Sequence, residues 1–174
     1  NTHYARALAF SNLGRPDEAT ADIQTLHDLS ISISKNSAYW GTQVRIQELS
    51  ATAWQHHAKG DMENAMATMK QAVDLELTTD KSGVTPGEVL PAAELYGDML
   101  SQASLYNEAL IAYEITLTRA PGRYNSLYGA GKAALAIDDK VTAKKYFDML
   151  NSNTIETNSS RASMNEVREI LKTL

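Results

Sequence analysis

His56 and His57 stand side by side, two residues after Trp54 and a few before Asp61. Imidazole nitrogens and carboxylate oxygens are what a zinc-type centre is built from. On a helix, however, neighbouring residues point about 100° apart, so the two rings cannot chelate one ion simply. His57 and Asp61, four positions apart, share a face and amount to half a site; no third ligand accompanies them, and no metal is expected. Glu94 and Asp98 have the same spacing. They form an acidic ridge that could hold a cation or a basic side chain, or simply face water. The run GAGKA at Gly129–Ala133 resembles a phosphate loop only faintly. It lacks the upstream glycine and the Ser or Thr after the lysine, and it lies inside a helical pattern. Asn158-Ser159-Ser160 fits the N-glycosylation triplet, which a polar loop carries without any modification. No GxSxG, HExxH or dinucleotide fingerprint occurs. Neither catalysis nor a cofactor is expected.

Composition narrows the remaining classes. The chain has 174 residues, enough for one domain with a sizeable core. Hydrophobic content is 43% and charged content 21%, an ordinary globular balance, and the scarcity of Gly (9) and Pro (4) leans helical. Net charge is −5 and the isoelectric point about 5.3. The densest basic spot, Lys144–Lys145, reads as a solvated helix face, so nucleic acid is not an expected partner. An acidic surface fits basic or polar protein partners slightly better. With no cysteine, disulfides, Cys-ligated zinc and thiol catalysis are excluded together. That absence suits cytoplasm and periplasm alike, with cytoplasm slightly favoured. No apolar run approaches the roughly 20 residues that span a bilayer, so no membrane partner is expected.

The elements that must position these groups are helices. Apolar residues recur every three or four positions, and four turn signals interrupt them: Leu13–Ala19, Ala58–Ala65, Gln102–Ala109 and Ala136–Ala143. Each turn ends on an alanine, and Asp17, Glu18, Asp61 and Asp139 sit where helix N-termini want an acceptor or a negative charge. Ala109 and Ala143 are 34 residues apart, as are Gly97 and Gly131, and Tyr113 and Phe147. Ala19 to Ala65 and Ala65 to Ala109 span 46 and 44 residues, the excess falling around Ser30–Trp40 and Thr78–Gly87. Within the first excess, SISIS at Ser30–Ser34 alternates like a strand, but five residues cannot build a sheet alone. It is read as a frayed helix end or linker whose isoleucines pack inward. In the second, Thr85-Pro86-Gly87-Glu88 forms a capping box, which favours a helix starting at Pro86 with Pro91 distorting its first turns, over a start near Leu90 that leaves Pro91 harmless. A second capping box, Ser163-Met164-Asn165-Glu166, opens a terminal amphipathic helix over 163–174 that buries Met164, Val167, Leu171 and Leu174.

A 34-residue helix–turn–helix with glycine in the first helix, alanine at the helix contact, an aromatic four residues later and a terminal proline resembles the tetratricopeptide repeat. Tyr96, Gly97, Leu100, Tyr106, Ala109, Tyr113, Leu117 and Pro121 carry the pattern in one unit, and Leu127, Gly131, Ala134, Ala143 and Phe147 in the next. The units run over about 3–34, 38–77, 86–122 and 124–150. The resemblance implies an all-α, right-handed superhelix of four hairpins, closed by the terminal helix that a solenoid needs to cover its last apolar face. It also implies a concave groove, lined by first helices, that binds a peptide or protein without catalysis. The groove positions are Tyr4, Leu8, Ser11 and Asn12; Ser50, Trp54 and His57; Glu94, Asp98 and Gln102; and Asn125, Tyr128 and Lys132. Trp54 is either a ligand anchor or a plug between units. The family's lysine- and asparagine-based grip on a C-terminal carboxylate is not matched in the first two units. The mixed acidic and aromatic floor favours a peptide carrying Lys or Arg. The apolar opening helix, with Tyr4, Ala7, Leu8, Phe10 and Leu13, leads to the expectation of a C-terminal piece of a longer bacterial repeat protein, or of a homodimer through that edge. A spacer or oligomerisation arm, or an accessory domain to a catalytic or metal-binding region, are the alternative roles.

Overall fold

The computed structural model describes residues 1–80, 89–154 and 161–174. Among them are nine α-helices and no strand: α1 (Thr2–Asn12), α2 (Thr20–Ser34), α3 (Ala38–Ala58), α4 (Met62–Leu77), α5 (Ala92–Gln102), α6 (Tyr106–Arg119), α7 (Tyr124–Ala136), α8 (Lys140–Thr154) and α9 (Ala162–Leu171). A 3-10 turn, Pro16–Ala19, leads into α2. The chain divides into two compact units, Asn1–Tyr96 and Gly97–Leu174, with the boundary inside α5.

One turn is used four times. After α1, α3, α5 and α7 the backbone enters the left-handed region at Gly14, Gly60, Ser104 and Asp138, with φ of 71°, 79°, 60° and 60°. The next residue's N–H then reaches back five positions to a carbonyl of the preceding helix. Arg15 donates to Phe10, Asp61 to His56, Leu105 to Leu100 and Asp139 to Ala134, all at 2.9–3.0 Å. This is the helix stop that satisfies otherwise orphaned carbonyls. Five residues after each left-handed residue comes an alanine with no exposed surface: Ala19, Ala65, Ala109 and Ala143.

In the first unit, α2 packs on α1 and α3, α1 packs on α3, and α3 packs on α4. Gln55 on α3 clamps the 3-10 turn by donating to the Pro16 carbonyl and to Thr20, each at 2.8 Å. The SISIS run is helical through Ser34, and its isoleucines do not pack inward: Ile31 is 51% exposed and Ile33 half-buried. Residues two apart on a helix point in nearly opposite directions, so two isoleucines so spaced cannot share one core. The tight contact here belongs to Gly41, whose hydrogen faces Ser34 so closely that a Cβ would collide with its backbone. The predicted capping box at 85–88 lies outside the described residues. Val89 and Leu90 are bent, and α5 begins at Ala92, so Pro91 precedes the helix rather than distorting it. The Ala92 N–H donates to the buried Glu76 carboxylate at 2.9 Å, a cap supplied from α4.

In the second unit, α6 packs on α7, α7 on α8, and α8 on α9. Gly97 lies under the Tyr113 ring and Gly131 under the Phe147 ring; a Cβ would stand 2.7 and 2.5 Å from ring carbons. Gly129 meets the Tyr113 ring from α7. The two glycines of GAGKA thus serve opposite neighbours, because positions two apart face opposite ways on a helix. The terminal capping box is not formed: α9 starts at Ala162, and no side chain caps it. Ser163 and Glu166 are used elsewhere.

Ser104→Gly is expected to stabilise the chain by about 1 kcal/mol in urea unfolding, because a left-handed non-glycine residue costs that order of energy. Gly131→Ala should do the reverse, losing about 1–3 kcal/mol to overpacking against Phe147 despite alanine's better helix propensity. A Gly131→Ala chain more stable than wild type would show that the ring is not confined.

Candidate functional site

Tyr124, Tyr128 and Lys132 follow one another at intervals of four along α7 and therefore share a face. That face is met by α9. The Tyr128 hydroxyl donates to one oxygen of Glu166 at 2.6 Å, and the Lys132 ammonium to the other at 2.5 Å. The Tyr124 and Ser163 hydroxyls are 2.7 Å apart, and the Arg161 guanidinium stacks 4.6 Å from the Tyr124 ring centre. Beneath these polar contacts Met164 and Val167 have no exposed surface. A carboxylate is thus seated between a phenol and an ammonium, over two buried apolar side chains of its own helix.

The site shifts its own ionisation. Bonds from Lys132 and then Tyr128 hold the Glu166 carboxyl below its ordinary 4.5. Burial, then the bond to Glu166, pushes the Tyr128 hydroxyl up from 10.0 to about 12. The carboxylate's contribution to docking α9 is therefore complete above pH 4.5 and is lost as pH falls through its depressed value. The phenol's contribution is complete below pH 10 and is lost as pH rises through about 12.

The other expected groove positions divide by exposure. Asn12, Gln102 and Asn125 are exposed, Asn12 donating to the Leu8 carbonyl at 2.8 Å. Tyr4 is buried beside Ser50, Glu76 and Glu94, and burial above all holds its hydroxyl neutral. Trp54 is 5% exposed and packs 5.2 Å from the half-buried His57 ring, so it is packed rather than presented; burial lowers the His57 pKa. Glu94 is 1% exposed and Asp98 accepts from the Tyr113 hydroxyl at 2.8 Å, so these acids do not form a shared open ridge. Asp61 pairs with His56 rather than His57, at 3.1 Å, while capping α4 through the Asn64 N–H. Among the described residues no three metal-ligating groups converge, and no helix is long and apolar enough to cross a membrane. The triplet at 158–160 lies outside the described residues.

Several arrangements had no signal in the sequence. Asp22 is buried between His3, at 2.6 Å, and Arg6, at 3.2 Å, tying α1 to α2. Glu48 is buried between His27, at 3.0 Å, and Arg45, tying α2 to α3. The exposed tryptophan is Trp40, set edge-on against Tyr39. A cavity of about 380 Å³ between α6 and α8 is lined by Glu114, Leu117, Pro121, Lys145, Tyr146 and Met149. There the Tyr146 hydroxyl donates to Glu114 at 2.5 Å and Lys145 stacks 4.8 Å from the Tyr146 ring centre. The distances in sequence, 19, 21 and 32 residues, are why pattern reading passes over these pairs.

Compared with known proteins, the chain matches no family model, no curated protein and no solved structure.

A difference titration of tyrosinate absorbance, wild type against Tyr128→Phe, should give a step centred near pH 12. A step near 10 would mean that the phenol does not hold Glu166.

Proposed function

We propose that this chain is a tetratricopeptide-type solenoid of four hairpins and a terminal helix, acting as a protein-interaction module whose first helices carry the binding face, without catalysis. The observation that carries the reading is the ridge Tyr124, Tyr128 and Lys132 on a first helix, which already grips a helical segment through side chains. Support for the architecture comes from the recurring left-handed turn with its buried alanine, found in all four expected hairpins. Aromatic hydroxyls and a lysine on a helix face recognise polypeptide by combining apolar area with directed hydrogen bonds.

A second reading, a structural spacer, is favoured by the same contact taken as permanent: α9 covers the ridge and leaves it no external role.

Photo-crosslinking residues placed at Asn12, Gln102 and Asn125, all exposed first-helix positions, are expected to capture the same discrete partner. Placed at Asn107 and Asp148, exposed on second helices, they should not. Equal capture from both sets would count against the first-helix face.

A further inference from the structure

We propose that the cavity between α6 and α8 is a binding site for a small zwitterion with an apolar body, a free α-amino acid such as leucine. The site belongs to second helices, so it goes beyond the first-helix reading and does not depend on it.

Size limits the ligand. At about 380 Å³ the cavity stands near the lower end of the range that small-molecule sites occupy, which suits a compact molecule better than a length of polypeptide. Leu117, Pro121 and Met149 make its apolar side. Leu117 is buried and Met149 is exposed, so apolar surface runs from the core out to solvent.

Two charges line this cavity without a charged partner. Glu114 on α6 is half-buried and accepts from the Tyr146 hydroxyl at 2.5 Å. Residues three and four away on its helix are Leu110, Ile111, Leu117 and Thr118, none of them cationic. Among the described residues no cation reaches it from elsewhere. Burial, and then the bond to Glu114, pushes the Tyr146 hydroxyl up, so it stays a neutral donor and leaves the carboxylate's charge uncompensated. A charge partly withdrawn from water is costly unless paired. Lys145 on α8 stacks 4.8 Å from the Tyr146 ring centre and meets no carboxylate among the described residues. Asp148, three residues on, is taken by Lys144 at 2.8 Å. Anion and cation thus flank one tyrosine, Glu114 at its hydroxyl and Lys145 over its ring, and no ion pair joins them.

An α-amino acid presents the complementary set: an ammonium for Glu114, a carboxylate for Lys145 and an aliphatic chain for Leu117 and Met149. Both polar contacts are charge-assisted, the stronger class of hydrogen bond. A simple amine leaves Lys145 unanswered, and a simple acid leaves Glu114 so.

The probe is L-leucine, titrated into the full chain and followed by the methyl resonance of Met149. A saturable shift is expected, with a dissociation constant of about millimolar. Isocaproate lacks the amine, isoamylamine lacks the carboxylate, and N-acetyl-leucinamide carries neither charge, like a residue within a polypeptide. Each should bind at least threefold more weakly than leucine. Glu114→Gln should erase the preference for leucine over isocaproate, and Lys145→Gln the preference over isoamylamine. Absence of a saturable shift at Met149 overturns the proposal, and so does any analogue bound within threefold of leucine. N-acetyl-leucinamide bound more tightly than leucine overturns it in favour of a protein partner. A preference that survives intact in either variant overturns it as well. Where a variant loses the wild-type pattern of methionine resonances, the analogues on the wild-type chain decide alone.

Discussion

In each hairpin a left-handed turn residue is followed, five positions on, by an alanine with no exposed surface, and a residue so buried leaves the second helix close against its neighbours. Ala19, Ala65, Ala109 and Ala143 are these alanines. The turn closes with a hydrogen bond that reaches five residues back, so its length cannot change without breaking the helix end. Close approach of the backbones then brings larger groups into reach of one another. The Tyr113 ring rests on Gly97 and Gly129, and the Phe147 ring on Gly131. Interiors are packed too densely for such a ring to move aside, so the alanine, the glycine and the ring form one constraint rather than three.

Much of this was legible because it is local. The offset of 34 residues linking Gly97 to Gly131 and Tyr113 to Phe147 marks the same packing in two successive hairpins. The left-handed turn residues were harder to see, since Gly14, Gly60, Ser104 and Asp138 share no side-chain chemistry. They are united by position alone. The SISIS isoleucines were expected to pack inward and do not, because residues two apart cannot both join a core face set by Leu26 and Ser30. The start of α5 was invisible for a different reason: Glu76, which receives the Ala92 N–H, lies 16 residues upstream on another helix.

The candidate site was half legible. The resemblance set Tyr128 and Lys132 among the groove positions; both lie on α7, four residues apart and so on one face. Residue type could not say which neighbours would cover that face. Glu166 is 38 residues from Tyr128, and its local pattern advertised a capping box. Tyr4, Trp54 and Glu94 have the side chains of a binding surface but lie in the first unit's interior. An aromatic ring or a carboxylate can serve either place, the ring through its apolar area and the carboxylate through hydrogen bonds. Asp22 and Glu48 make the same point: both are buried, each against a histidine and an arginine.

Taken by itself, the amino-acid sequence determined the helical class, the position of the four hairpin turns and the small residues at which helices touch. These depend on backbone sterics and on contacts within one or two turns of chain, where the identity of a few neighbours is sufficient. Tertiary structure alone decided which polar groups are buried, that Glu76 rather than a local residue caps α5, and that Ser163 and Glu166 face α7 instead of closing their own helix. Each of those outcomes is a competition between a local partner and a distant one of similar strength. Packing of α9 on α8, with Met164 and Val167 fully buried, holds α9 near enough for the distant one to win.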